Sequence, residues 1–305
     1  MKLNYPRDTE LFLLLWKYKV ATTHSIWAAL FKDSSMKTCY ERLMKLKKSN
    51  FVKRISIDES HFAWTLSTNG YIAIRDQLNE LKVPGYGSEF PIHDLLVNLA
   101  SFEDYWPELP DGISFLSEEE IKRLHSEYLP EWYPFDLMRR PDGFWRTNKG
   151  DHHSIIALEV ETSLKSVSKY ESIARQYELA SEIFRIIWFV PTKSMAQTIF
   201  NSFENKIGSE NFRHNFILIS DLVSHGWMAP VYLGADQNSK VEKVLQVPIG
   251  SPSVPGRRLS HLDLSITPHK SRTSGQFSKP VNSDSTACLS ASVFSNTPFA
   301  QLIKI

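Results

Sequence analysis

Residues 140–170 constrain the fold of this chain more than any other stretch. They read Arg-Pro-Asp-Gly-Phe-Trp, a polar loop, Ile-Ile-Ala-Leu-Glu-Val-Glu-Thr, and then Leu-Lys-Ser-Val-Ser-Lys-Tyr. Short apolar runs bounded by turn residues predict two strands joined by a hairpin. Strand side chains alternate between faces, so Glu159 and Glu161 share one side while Val160 points to the other. Asp142 opens the first strand. Three acids converging at one edge of a small sheet are oxygen donors of the kind that hard divalent cations prefer.

The residues that follow extend the pattern. A helix is expected from Ser166 to Ser181, with Val167, Tyr170, Ile173, Ala174, Tyr177 and Leu179 near one face. A buried strand, Phe184–Val190, is stopped by Pro191, because proline cannot continue a ladder. A helix over 194–206 and a strand over Phe216–Ser220 complete the order. Strand, strand, helix, strand, helix, strand predicts an α/β (α+β) core with a mixed central sheet.

Pro141-Asp142 followed by Glu159-Val160-Glu161 in this order resembles the core of the PD-(D/E)xK nuclease superfamily. The resemblance implies Asp142 and Glu159 as ligands of Mg²⁺ or Mn²⁺, with Glu161 a third ligand or a positioning group. Glu161 stands where that superfamily usually has a lysine. Lys165 and Lys169 follow at the start of the next helix and are the candidates for a displaced catalytic lysine. Alternating acids on a strand more commonly mark a solvated face; here the Pro-Asp before them and the strand–helix order after them carry the reading.

Residues 1–83 read as a winged helix-turn-helix. Arg7-Asp8 opens a helix with Leu11, Leu14, Leu15 and Tyr18 at helical spacing. Thr22 or Thr23 is placed to cap a second helix, His24–Phe31, and Asp33-Ser34-Ser35 a third, Met36–Lys48. On the third, Tyr40, Leu43, Met44 and Leu46 are expected inside. Strands Phe51–Ile57 and His61–Leu66 flank Asp58-Glu59-Ser60 as a wing, and a closing helix runs from Tyr71 to Leu81. The chain's net charge is only +1, but eight Lys or Arg and two acids lie between Lys32 and Arg54. That local excess suits a helix entering the major groove of double-stranded DNA. Lys37, Thr38, Arg42 and Lys45 are the candidate contacts, with Lys53 and Arg54 on the wing.

Residues 84–90, containing Pro84-Gly85-Tyr86-Gly87, are expected as a linker and residues 91–249 as the α/β domain. A helix is predicted from His93 to Trp106. The stretch Glu103–Glu131, with nine acids against Lys122 and Arg123, is expected to be a solvated surface. Residues 250–305 turn to Ser, Thr, Pro and Gly and are expected to be a disordered tail. Two distant cysteines, Cys39 and Cys288, have no metal or redox spacing. With no signal-peptide pattern or membrane-length apolar run, the expectation is a cytoplasmic protein away from the membrane.

The whole order is similar to that of the replication-relaxation family and of MOBC-type plasmid mobilisation relaxases. The matching residues are His93-Asp94-Leu95-Leu96-Val97-Asn98, Arg140-Pro141-Asp142-Gly143, Leu158-Glu159-Val160-Glu161-Thr162, Lys169-Tyr170 and Arg175-Gln176-Tyr177. The resemblance covers roughly residues 7–190 and implies a metal-dependent DNA nickase or relaxase acting at a plasmid or mobile-element origin. Its partners would be DNA, other mobilisation or replication proteins, and a second copy of the chain. Lys165 or Lys169 would neutralise charge on the reacting phosphate. Water is the expected nucleophile, with Tyr170 and Tyr177 the tyrosines nearest in sequence. His152 and His153 are read as turn residues outside the site. The competing reading is a noncatalytic DNA-binding regulator on a degenerate nuclease fold. A restriction- or transposition-type endonuclease is the third. No Gly-rich phosphate loop points to a nucleotide cofactor.

Overall fold

The computed structural model describes residues 2–57, 61–101, 112–149, 152–207 and 212–246. The expected tail and the tip of the expected wing lie outside the described residues.

Local capping sets the first helices. After α1 (Arg7–Tyr18), the Thr22 hydroxyl accepts from the Ser25 amide at 2.9 Å and starts α2 (Thr23–Leu30). The Ser35 hydroxyl accepts from Thr38 at 3.1 Å and starts α3 (Met36–Lys48), which has the predicted bounds. Each such bond satisfies an amide that the helix itself leaves free. The buried residues of α3 are Cys39, Leu43 and Leu46; Tyr40 is 42% exposed and meets Trp64 edge-on. In α1 the buried apolar side chains are Leu11, Phe12, Leu15 and Trp16, not Leu14 and Tyr18. Turning Phe12 and Trp16 inward removes more apolar area from water than the expected face would.

Strands β1 (Val52–Ser56) and β2 (Phe62–Leu66) pair antiparallel, and Ala21 adds a bridge to Trp64. The closing helix α4 is short, Thr68–Ile74 followed by one 3₁₀ turn, so the extension expected to Leu81 does not form. The expected linker is packed rather than loose. The Trp16 indole donates to the Gly85 carbonyl at 3.2 Å, and Tyr86 stacks on Tyr71.

Helix α5 (Pro91–Ser101) is followed by β3 (Ile113–Ser117) and α6 (Glu118–Arg123), two elements within the acidic stretch. The reading of the acidic stretch as a solvated surface is corrected at Glu119, while Glu103, Asp104, Glu108 and Asp111 lie outside the described residues and Glu127 and Glu131 are exposed. Glu119 is buried, paired with Arg123, and 3.9 Å from Lys19. A buried carboxylate is tolerable only with such partners.

Six strands form one mixed sheet in the order β3-β4-β5-β6-β7-β8, with β4 Gly143–Lys149, β5 His152–Val160, β6 Ile183–Val190, β7 His214–Leu218 and β8 Leu233–Gly234. The β5–β6 and β6–β7 pairs are parallel, crossed over by α7 (Val167–Leu179) and α8 (Lys193–Ile207); the rest are antiparallel. Helix α7 buries Tyr170, Ile173, Ala174 and Tyr177, whereas Val167 and Leu179 stay exposed. The opposite face, with Ile156, Leu158 and Val160, packs on Leu95, Leu96 and Leu99 of α5, and helices α9 (Ile219–His225) and α10 (Val241–Leu245) extend that layer. Gly143 lets β3 approach: a Cβ there would lie 2.4 Å from the Phe115 ring. Among the described residues no helix is long and apolar enough to cross a membrane.

Candidate functional site

The end of β4 and β5 nearest the α7 crossover carries the predicted acids. The backbone of Asp142 continues the β4 ladder, donating to Leu158 and accepting from Glu118. Its Oδ2 accepts from the Val160 amide at 2.6 Å, which fixes the carboxylate beside β5. Glu161 continues the β5–β6 ladder by donating to the Phe189 carbonyl at 3.0 Å. Glu159 and Glu161 are both only 3% exposed.

Each acid faces a cation of the protein. The Arg139 guanidinium grips Glu159 with two bonds, Nε to Oε1 at 2.7 Å and Nη2 to Oε2 at 2.8 Å. The Tyr177 hydroxyl donates to the same carboxylate. Lys165 pairs with Glu161. His93 reaches Asp142 with Nε2 3.4 Å from Oδ2 and 3.1 Å from the Val160 carbonyl, while its Nδ1 lies 3.5 Å from Asp94.

These contacts set the protonation states. Burial pushes the Glu159 carboxyl above its ordinary range, and Arg139 and Tyr177 oppose that rise. Burial alone would lower the His93 pKa; bonds and charges from Asp142 and Asp94 outweigh it and raise it to about 10. At neutral pH His93 is therefore an imidazolium donating from both nitrogens. For Asp94, burial works upward, but His93 and Lys19 hold the carboxyl below its usual value.

Asp142 and Glu159 thus lie within reach of each other's charge at this end of β4 and β5, Glu161 follows two residues on with Lys165, and Lys169 sits exposed at the start of α7. Tyr170 and Tyr177 are both fully buried, the first accepting from the Lys165 amide and the second held by Glu159, so neither presents a free hydroxyl. His153 pairs with Asn148 at the opposite end of the β4–β5 hairpin, away from the site. Arg139 and His93 complete the site; in the sequence His93 is raised only through the family match, as a residue able to approach the site, and Arg139 is not assigned to it. The adjacent pair Arg139-Arg140 immediately before Pro-Asp was the available signal for the first.

The donor set fits a hard divalent ion in chemical type, since every acid offers oxygen. As arranged, however, Arg139 occupies both Glu159 oxygens and His93 lies against Asp142. Among the described residues no group of three or more His, Cys, Asp or Glu is arranged to hold a metal ion.

The basic face of α3 divides in two. Lys37, Thr38 and Lys45 are exposed, with Lys48 on the same outward stripe and Glu41 interrupting it. Arg42 is turned the other way: its guanidinium is bound to Asp8, a fully buried residue of α1, with Nε to Oδ1 at 3.0 Å. That pair ties α3 to α1, which corrects the placement of Arg42 among free surface cations. On the hairpin, Arg54 lies over the Phe62 ring at 4.1 Å and faces the Trp64 side, while Lys53 points to the other face because strand neighbours alternate.

No protein-family model matches the sequence, and comparison with curated proteins and with solved structures gave no significant match.

Proposed function

We propose that this protein is a metal-dependent DNA nickase or relaxase of plasmid or mobile-element DNA. In this reading the N-terminal unit is a winged helix-turn-helix and the six-stranded sheet a PD-(D/E)xK-type nuclease core, as in the replication-relaxation and MOBC-type proteins that the sequence resembles. The observation that carries it is the placement of Asp142 and Glu159 together at the end of β4 and β5, with Glu161 two residues on and His93, Arg139 and Lys165 against these acids. A fold kept only for packing has no need to bury Glu159 and Glu161 there, since each must then be held by a protein cation.

Lys37, Thr38, Lys45 and Arg54 would engage the duplex, mostly at phosphates. Asp142, Glu159 and Glu161 would hold Mg²⁺ or Mn²⁺, with His93 and Arg139 giving up their present contacts. Bound there, the ion would polarise the scissile phosphate and lower the pKa of an attacking water. Lys165, released from Glu161, and Lys169 would offset charge developing on the phosphate, a role typically worth about 2.7–4 kcal/mol for one donor.

A noncatalytic DNA-binding regulator is the second reading. The pairing of each acid with its own protein cation favours it, because such a cluster is neutralised without any ion.

Supercoiled plasmid carrying the native origin separates the readings. Wild type should give nicked circles with Mg²⁺ or Mn²⁺, and Glu159→Gln and Asp142→Asn should give none while binding DNA equally. Equal binding with no nicking by any form would support the regulator. A linear product would instead indicate a double-strand endonuclease.

A further inference from the structure

The C-terminal end of α1 is not simply a helix end. Lys19 sits there at φ 62° and ψ −42°, a positive-φ conformation that L side chains with a Cβ rarely adopt, at the centre of a tight turn closed by the Val20 amide on the Tyr18 carbonyl. An outlier of this kind persists where surrounding contacts over-determine it. Here they are electrostatic. The Lys19 ammonium, 14% exposed, lies 3.0 Å from Glu118 Oε2, 3.4 Å from Asp94 Oδ1 and 3.9 Å from Glu119 Oε2.

The Asp94 contact is the informative one. The same oxygen, Oδ1, faces both Lys19 and the Nδ1 of His93. The other nitrogen of that imidazole faces Asp142 and the Val160 carbonyl. An unbroken line of polar contacts therefore runs from the N-terminal unit into the acidic site: Lys19, Asp94, His93, Asp142. A small cleft between α1, α5 and α6 is lined by these same four residues with Glu118 and Glu119. The ends of this line are fixed independently. Lys17 of α1 donates to the Phe115 carbonyl of β3 at 3.1 Å, and Asn98 of α5 donates to the Val20 carbonyl, just past α1, at 2.8 Å, so the Lys19 end of the line is tied to both β3 and α5.

We infer that Lys19 is a positioning residue for the acidic site, acting from the N-terminal unit through Asp94 to hold the His93 ring over Asp142. Its charge offsets one negative oxygen of Asp94, and the fixed carboxylate orients the ring by its Nδ1–H. The unit that carries the basic α3 face is by this route connected to the site that would do the chemistry. The positioning stands on geometry alone; only its consequence for cleavage rests on the nuclease reading.

The test uses the full chain with ¹⁵N-labelled histidine at fixed pH. Wild type should show a protected, hydrogen-bonded His93 Nε2–H resonance. Lys19→Met should broaden or shift it to the solvent-exchanging position, and Lys19→Arg should restore it. In an Asp94→Asn background the same Lys19→Met change should add nothing further. Should Lys19→Met fail to fold, Asp94→Asn decides alone, since Lys19 keeps Glu118 in that variant. An unaltered His93 resonance in both folded variants overturns the inference. On origin plasmid, both substitutions should lower kcat at least tenfold and leave KM for DNA within twofold. A wild type that does not nick would remove the nuclease reading while the resonance still decides the positioning.

Discussion

Arg139 and Glu159 form a two-bond, nearly buried ion pair at the centre of the candidate site, with Nε–Oε1 at 2.7 Å and Nη2–Oε2 at 2.8 Å. Planar bidentate pairs of this kind are the strong form of a charge-assisted bond. Removing one partner leaves an uncompensated charge inside, so Arg139→Ala should lower stability by roughly 3–5 kcal/mol. Urea unfolding measures this directly. The Arg139→Met/Glu159→Gln pair, which buries no lone charge, should lose clearly less than Arg139→Ala. An Arg139→Ala loss under half the lower bound would mean that water reaches the pair.

Two cations of α3 should behave oppositely. Arg42→Ala removes the counter-ion of buried Asp8, leaving the Asn4 amide on that carboxylate, and should destabilise the protein by about 3 kcal/mol. Lys45 is exposed and has no such partner among the described residues. Lys45→Ala should leave the melting temperature unchanged and reduce the salt slope of DNA binding by about one. Fluorescence anisotropy over a salt series, beside thermal melts, distinguishes the two; an unchanged slope for Lys45→Ala would remove it from the interface.

The buried His214 makes stability depend on pH. Burial, helped by the nearby Arg213 charge, lowers its pKa to about 3, and its Nδ1 accepts from the Trp188 indole at 3.0 Å. The unfolded chain takes up a proton on this residue below about pH 6.5, whereas the folded chain does not until about 3. The stabilising contribution is therefore complete above pH 6.5 and is lost as pH falls toward 3. By pH 5 the loss is roughly 2 kcal/mol, at 1.36 per unit. His214→Asn keeps an acceptor near Trp188 without titrating, so its unfolding free energy should fall by less between pH 7.5 and pH 5. Parallel pH curves for the two proteins would count against this account.

Cys39 should be inert in the native protein. Burial raises its thiol pKa to about 12, so almost no thiolate exists at neutral pH. Site-resolved alkylation by mass spectrometry should find Cys39 unmodified until denaturant is added. Native labelling within minutes would mean that the contact between α2 and α3 opens readily.

Local pattern alone determined a good part of this molecule. Capping by Thr22 or Thr23 and by the Asp33-Ser34-Ser35 run, the bounds of α3, the apolar run of β6 and the shared face of Glu159 and Glu161 all follow from neighbours within a few residues; that Thr22 and Ser35 make the caps was decided by the fold. What each acid and cation does was decided only in three dimensions. Arg42 meets Asp8 across 34 residues, Arg139 meets Glu159 across 20, and His93 meets Val160 across 67. Charge has no periodicity that marks its partner, and a buried ion is stable only beside its counter-ion. The same reason turned Glu119 inward from a stretch that looks uniformly solvated. Which surface a helix shows to solvent can be read along the chain, but which charge it neutralises depends on what the fold brings against it.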